Sequence, residues 1–372
     1  MHVLPPEILF TIVGELDVNE HGDHKTLRSL LFVSKQVNPF ALCATYRDLS
    51  FAPPSSPLQY HLIAKLRLLS RDVKSNPGLQ FTTTFSCIMK RRFGDIENHT
   101  DEINSLLGHI IPFLANVRRV TISLQESPID TRILRSLPLG APLAYLKLEQ
   151  CSLSSDHLRQ LLASHPTLEW LDIYSPTRPQ SFEQSNLTIN ALPRLLSLSI
   201  TANNTVFFEC PLSSLVNLDL DALHMSSMDD ALIVQRMVPF ASITACHLSN
   251  VYFVKVLPIL ECLPLLEYLW LGRTTLKMQE DTNSVSLPAT LKYLRCYVYS
   301  EPAVPFGRRM FDSIKTLVVV DITSQPNQST IRMRHGNYQG PVFYQSGAWT
   351  RWWENAKRAV ELAGPAAYRS AP

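Results

Sequence analysis

The sequence predicts an elongated α/β chain in which short parallel strands alternate with helices, with a helical segment at each end. Three observations predict it. Residues 143–153 read LAYLKLEQCSL, an apolar spacing of positions one, four, six, nine and eleven, which fits one strand–turn rung of a stacked array. Related spacings open at Val117, Leu143, Leu168, Leu195, Leu215, Ile243, Leu266, Leu291 and Ile314, about 25 residues apart, a period at which each unit hides its apolar side against the next. Between rungs the apolar period becomes helical, as at Leu158, Leu161 and Leu162.

Composition narrows the classes. The chain has 372 residues, enough for two ordinary domains or one long one, and the repeats favour the long one. Hydrophobic residues make up 45% and charged residues 18%, the balance of a chain with a continuous buried face. A net charge of +2 gives no field for nucleic acid or an anionic membrane, and the runs Lys90, Arg91, Arg92 and Arg308, Arg309 read as solvated surface. The most apolar window, 251–271, is broken by Lys255, Pro258, Glu261, Pro264 and Glu267, which argues against a membrane span.

Seven cysteines form no CxxC pair and no zinc-ligand spacing, so free thiols, no metal and no other cofactor are expected. The start MHVLPPEILF lacks the features of a secretory signal, and the expected address is cytoplasmic, nuclear or both.

The first fifty residues predict three short helices. Pro5 and Pro6 suit a first turn, and Ile8, Leu9, Ile12, Val13 and Leu16 form an apolar face wider than one neighbour needs, so two surfaces share it. Residues 17–24 read as a loop, and His21 and His24 within it as solvated rather than metal ligands. Residues 25–34 resume helical spacing, and Asn38 is placed to cap a third helix with Pro39 in its first turn.

The LPPEIL start, the isoleucine and leucine spacing after it, FVSK at 32–35 and YRDLSF at 46–51 resemble the F-box of fungal F-box proteins, although Val37 stands where that family often carries tryptophan. The resemblance implies docking on the Skp-type adaptor of an SCF cullin–RING ubiquitin ligase. By position it assigns Leu4, Pro5, Ile8, Leu9, Ile12, Val33 and Ser34 to the adaptor contact.

The repeats begin where that module ends. Residues 46–51 alternate as a strand, 58–73 as a helix, 79–87 as a strand and 102–114 as a helix, while 155–164, 228–239 and 252–263 are helical connections and 176–192 is irregular. The pattern is that of a leucine-rich-repeat solenoid, a curved parallel sheet inside and helices outside. Residues 325–345 are polar, and a helix over 348–362 carries Trp349, Trp352, Trp353, Ala356, Ala359 and Val360 on one face, a stripe suited to cap the last rung. The expected organisation is a helical module at 1–51, a solenoid at 52–324, regular from 117, and a cap with tail at 325–372.

Strand alternation leaves the residues between the inner leucines on the concave face. Among them Tyr145, Trp170, Tyr174, Asp219, Tyr268, Trp270, Tyr293, Arg295 and Tyr297 are the expected target-binding set, since exposed aromatics anchor protein interfaces. Stacking among themselves, or cover by the C-terminal segment, is the competing account. No GxSxG, phosphate-binding glycine loop or HExxH occurs, and no catalysis is expected. The expected role is a substrate receptor, monomeric within its complex. A ubiquitin-independent scaffold and a regulator of a GTPase or hydrolase are the other classes this architecture admits.

Overall fold

The computed structural model describes residues 5–16, 21–33, 35–51, 59–89, 100–124, 131–149, 155–174, 186–187, 194–201, 207–208, 214–221, 229–249, 253–272, 287–298, 302–324, 330–334, 337–342 and 352–363. The chain divides into two compact units, Met1–Phe182 and Glu183–Pro372.

The first unit opens with three helices, α1 (Pro6–Gly14), α2 (His21–Leu30) and α3 (Asn38–Arg47). They share a small core of Val13, Leu27 and Ala44, flanked by Leu16, Leu30 and Phe40. Two local expectations need correction. Helix α2 starts at His21, inside the expected loop, with Asp23 in its first turn against the positive end of the helix dipole; the polar HGDH turn carries no apolar marker by which spacing could find it. Asn38 does not cap α3. Val37 holds the cap position, and Asn38 instead donates its Nδ2 to the carbonyl of Leu31 at 2.7 Å, tying α3 to the end of α2.

Helix α3 runs directly into β1 (Asp48–Phe51). The unit continues through α4 (Gln59–Arg71), β2 (Thr84–Met89), α5 (Thr100–Ile110), β3 (Arg119–Leu124), α6 (Thr131–Arg135), β4 (Tyr145–Glu149), α7 (Ser155–Ser164) and β5 (Trp170–Tyr174). The strands pair in parallel and in sequence order, β1 to β5. Strand β2 begins five residues later than the expected 79, because Pro77–Phe81 forms a 3-10 turn in which the Asn76 side chain accepts from Gly78 N–H at 3.0 Å.

The second unit holds β6 (Asn186–Leu187), β7 (Ser197–Thr201), β8 (Phe207–Phe208), β9 (Asn217–Asp221), α8 (Asp230–Met237), β10 (Ala245–Ser249), α9 (Phe253–Glu261), β11 (Tyr268–Leu271), β12 (Tyr293–Val298), α10 (Ala303–Ser313), β13 (Val319–Ser324), β14 (Thr330–Arg334), β15 (Asn337–Val342) and α11 (Trp352–Ala363). Strands β7, β9, β10, β11, β12 and β13 pair in parallel, whereas β14 and β15 add in antiparallel sense. The short β6 and β8 pair with each other.

The repeats keep one register from strand to strand. Val120, Leu146 and Leu171 are successive partners across β3, β4 and β5, all buried, and Leu218, Cys246, Leu269 and Leu294 do the same across β9 to β12. At five units a hydroxyl just before the opening residue donates to the opening carbonyl of the unit before it. Thr167 reaches Leu143 O at 2.9 Å, Ser214 Leu195 O at 3.0 Å, Ser242 Leu215 O at 3.2 Å, Thr290 Leu266 O at 2.7 Å and Thr316 Leu291 O at 2.9 Å. This staple satisfies a backbone acceptor at these five turns into a strand.

The same staple corrects the last unit. It opens at Leu317, not Ile314, since Thr316 is the donor and Val320 and Ile322 are the partners of Leu294 and Cys296. Ile314, Leu317 and Val319 fit the apolar template as well as Leu317, Val320 and Ile322 do, so spacing alone does not separate them. The polar stretch after it contains the β14–β15 hairpin, and α10 supplies an inward face of Phe306 and Met310.

Helix α11 covers the last rung from its outward face and not across the open edge of the sheet. It lies on the strands, with Trp352, Ala356 and Ala359 clustered on Ala245, Tyr268, Trp270, Tyr293 and Val319, and the hairpin lines the edge of β13. An apolar row on the outer face of a sheet loses more by facing water than a polar hairpin edge does.

Candidate interaction surfaces

The adaptor set assigned by resemblance lies on the three-helix module. Pro5 precedes α1 and is exposed, Ile8 and Ile12 are exposed, Leu9 is half-buried, and Val33, just past α2, is 66% exposed. Leu4 and Ser34 lie outside the described residues. Phe32, at 89% exposure, belongs with them, although position in the motif alone had not marked it. The division within α1 follows its period: Val13 points into the module while Ile8 and Ile12 point away. Four large apolar side chains left in water on two neighbouring segments have the composition of an interface.

The outward face of the first unit's strands presents rows set by the register. Arg119, Tyr145 and Trp170 are adjacent partners across β3, β4 and β5, and Thr121, Lys147 and Asp172 form the next row. The Arg119 guanidinium lies 4.8 Å from the Tyr145 ring centre, and that ring is 5.6 Å from Trp170. Lys147 Nζ is held between Glu149 at 2.8 Å and Asp172 at 3.4 Å. Burial alone would lower the pKa of Lys147, and the two carboxylates reverse this and raise it. Buried and half-buried residues alternate along β4, so this face stays accessible. Tyr174 ends β5; its side chain lies outside the described residues.

The corresponding face of the second unit's strands is different. Every residue of β11 is buried, on both faces. Tyr268, Trp270, Tyr293 and Arg295 were expected as open contacts, and all four are buried, Trp270 and Arg295 to 4% exposure each. Trp352 of α11 meets Trp270 edge-on at 5.7 Å and lies 6.3 Å from Tyr293. Burial raises the Tyr268 hydroxyl to about 12, helped by Glu267 and by Glu361 of α11. Tyr297 is half-buried. The cover was legible in principle: Ala245 and Val319 place small apolar residues beside aromatics in one outward row, which calls for an apolar lid.

Beneath and beside α11 runs a polar row. Asp219 Oδ1 lies 2.8 Å from His247 Nδ1, the His247 ring stacks on Trp270 at 3.9 Å, and Arg295 lies 4.5 Å over that indole. Ser199 Oγ donates to Asp219 at 3.4 Å, on the carboxylate rather than the imidazole. A nucleophilic triad needs the histidine between serine and acid, so this cluster is not arranged for acyl transfer.

Cys87, Cys246 and Cys296 occupy inward leucine positions and are fully buried. Burial pushes the Cys87 thiol up to about 12, and that of Cys246 higher still with Asp219 nearby, so neither is a nucleophile. Cys151 lies outside the described residues. Among the described residues no cluster of His, Cys, Asp or Glu could hold a metal ion, and no helix is long and apolar enough to cross a membrane.

No family model matches the sequence, and no curated protein does. Among solved structures, the leucine-rich repeat-containing protein LegL7 from Legionella pneumophila is similar at 14% identity, over 82% of this chain and 88% of that one, with a TM-score of 0.43.

Proposed function

We propose that this chain is a non-catalytic substrate-recognition subunit of an SCF-type cullin–RING ubiquitin ligase. Its first three helices dock on the Skp-type adaptor and through it on the cullin scaffold, and the sheet face holds a target protein. The observation that carries the reading is the exposure of Ile8, Ile12, Phe32 and Val33 on a module whose own core is already filled by Val13, Leu27 and Ala44. A module that served only to seal the array would turn those side chains inward. Chemistry on the target belongs to other subunits.

Pull-down of the Skp adaptor tests the reading. Ile8→Ala/Ile12→Ala/Val33→Ala is expected to weaken adaptor retention at least about tenfold while leaving the thermal transition in place, since all three are exposed. If the wild-type chain retains no adaptor, the ligase reading is lost. A ubiquitin-independent interaction scaffold then stands in its place.

A further inference from the structure

We propose that the outward face of β10–β13 is a receptor for a single amphipathic helix, occupied within this chain by α11 and open to exchange with a target helix of the same pattern. That pattern is a large aromatic residue followed by small residues one and two turns later. The inference rests on the reading of this face as a target surface, and it names the kind of segment the face takes.

The seat is built by register. Ala245, Tyr268, Tyr293 and Val319 are successive partners across four strands, so two aromatic rings stand between two small apolar residues in a straight row. A helix crossing this row needs an aromatic anchor to fill the space beside the rings and small residues where its backbone comes close. Helix α11 has that pattern in Trp352, Ala356 and Ala359, all buried. Ridges at this spacing follow one stripe of a helix.

Other features separate α11 from a permanent core element. Its fully buried contacts reduce to one tryptophan and two alanines, while Trp353, Val360 and Ala363 are only partly buried against the cluster and Leu362 is exposed. The Trp352 Nε1 is buried and has no hydrogen-bond partner among the described residues. An unsatisfied donor weakens the seat for its own helix, and a target helix with phenylalanine at that position would not carry that loss.

A fluorescein-labelled peptide of residues 348–366 tests the exchange, titrated into the full-length chain and into the full-length Trp352→Ala/Ala356→Glu variant, whose own helix cannot dock. The variant is expected to bind the peptide one to one, at least about tenfold more tightly than the wild-type chain, whose seat is filled. The same peptide carrying Trp352→Ala should bind about tenfold more weakly. Two results overturn the proposal: a variant that melts cooperatively yet binds no peptide, or a variant that loses its cooperative transition, which would make α11 an obligatory part of the core. Adaptor retention, measured on the same samples, separates the two readings. A chain that binds the peptide but not the adaptor supports the helix seat and removes the ligase assignment.

Discussion

Arg332 clamps Asp321 with two hydrogen bonds, Nε to Oδ1 at 2.7 Å and Nη2 to Oδ2 at 2.6 Å, and the Tyr293 hydroxyl donates to Oδ2 at 2.6 Å. The carboxylate has no solvent exposure. The clamp joins the parallel part of the sheet to its antiparallel hairpin through one buried charge. Breaking such a pair strands the other charge and costs about 3–5 kcal/mol. Arg332→Leu should therefore lower the urea midpoint sharply, whereas Asp321→Leu/Arg332→Leu should recover much of the loss. A double variant as unstable as the single one would show that the ionic pair itself is needed.

Gly78 decides how the helical module meets the repeats. A Cβ added there would run into the ring of Tyr46 at the end of α3, and that ring is held in place by a 3.0 Å hydrogen bond from Asn76 Nδ2 to its hydroxyl. Overpacking of this kind costs about 1–3 kcal/mol. Gly78→Ala should lower the melting temperature, and Tyr46→Leu in the same chain should restore part of it. Hydrogen exchange in α3 is the direct readout, rising in the single variant.

The hydroxyl staples predict a graded, small effect. Thr316→Val keeps the shape and removes the bond to Leu291 O, a loss of about 1 kcal/mol in denaturant unfolding. Ser214→Ala should behave alike through Leu195 O. A neutral result at both positions would mean that water replaces the hydroxyl.

Acid should destabilise the first unit in two steps. Burial holds His165 neutral and lowers its pKa, so below about 6.5 the unfolded chain takes up a proton that the folded chain refuses, and stability falls with pH. Glu149 is raised by burial, but hydrogen bonds from Lys147 and Ser123 and the charge of Lys147 outweigh this and lower it. Its contribution is present above the ordinary carboxylate value and is lost as pH falls through the depressed one. Urea midpoints measured against pH should show the first step flattened in His165→Leu and the second in Glu149→Gln.

Much of the rung architecture was legible because the repeat states its inward residues at fixed spacing. Leu143, Leu146 and Leu148 needed no partner to be recognised, and α4, α7 and α9 followed from apolar periods between rungs. The start of the last rung was not legible, since Ile314 and Leu317 open equally good templates and only the bond from Thr316 separates them. A Ser or Thr precedes several opening residues, but Ser313 stands before Ile314 as Thr316 stands before Leu317, so that signal does not separate them either.

The candidate surfaces divide in the same way. Ile8, Ile12 and Val33 were marked by the family resemblance, and the exposure of Ile8 and Ile12 follows from Val13 taking the inward side of α1. Tyr145 and Trp170 lie on an accessible face as alternation requires, but Tyr268, Trp270 and Tyr293, identical by that rule, are sealed by Trp352 some sixty or more positions later.

Sequence by itself determined which side of each strand a residue takes, because alternation and the leucine period are local properties of the backbone. Tertiary structure alone decided which of the outward residues still meet water. That depends on where α11 comes to rest, and a helix of Trp352, Ala356 and Ala359 settles wherever a row of aromatics between Ala245 and Val319 lets it lose the most apolar surface.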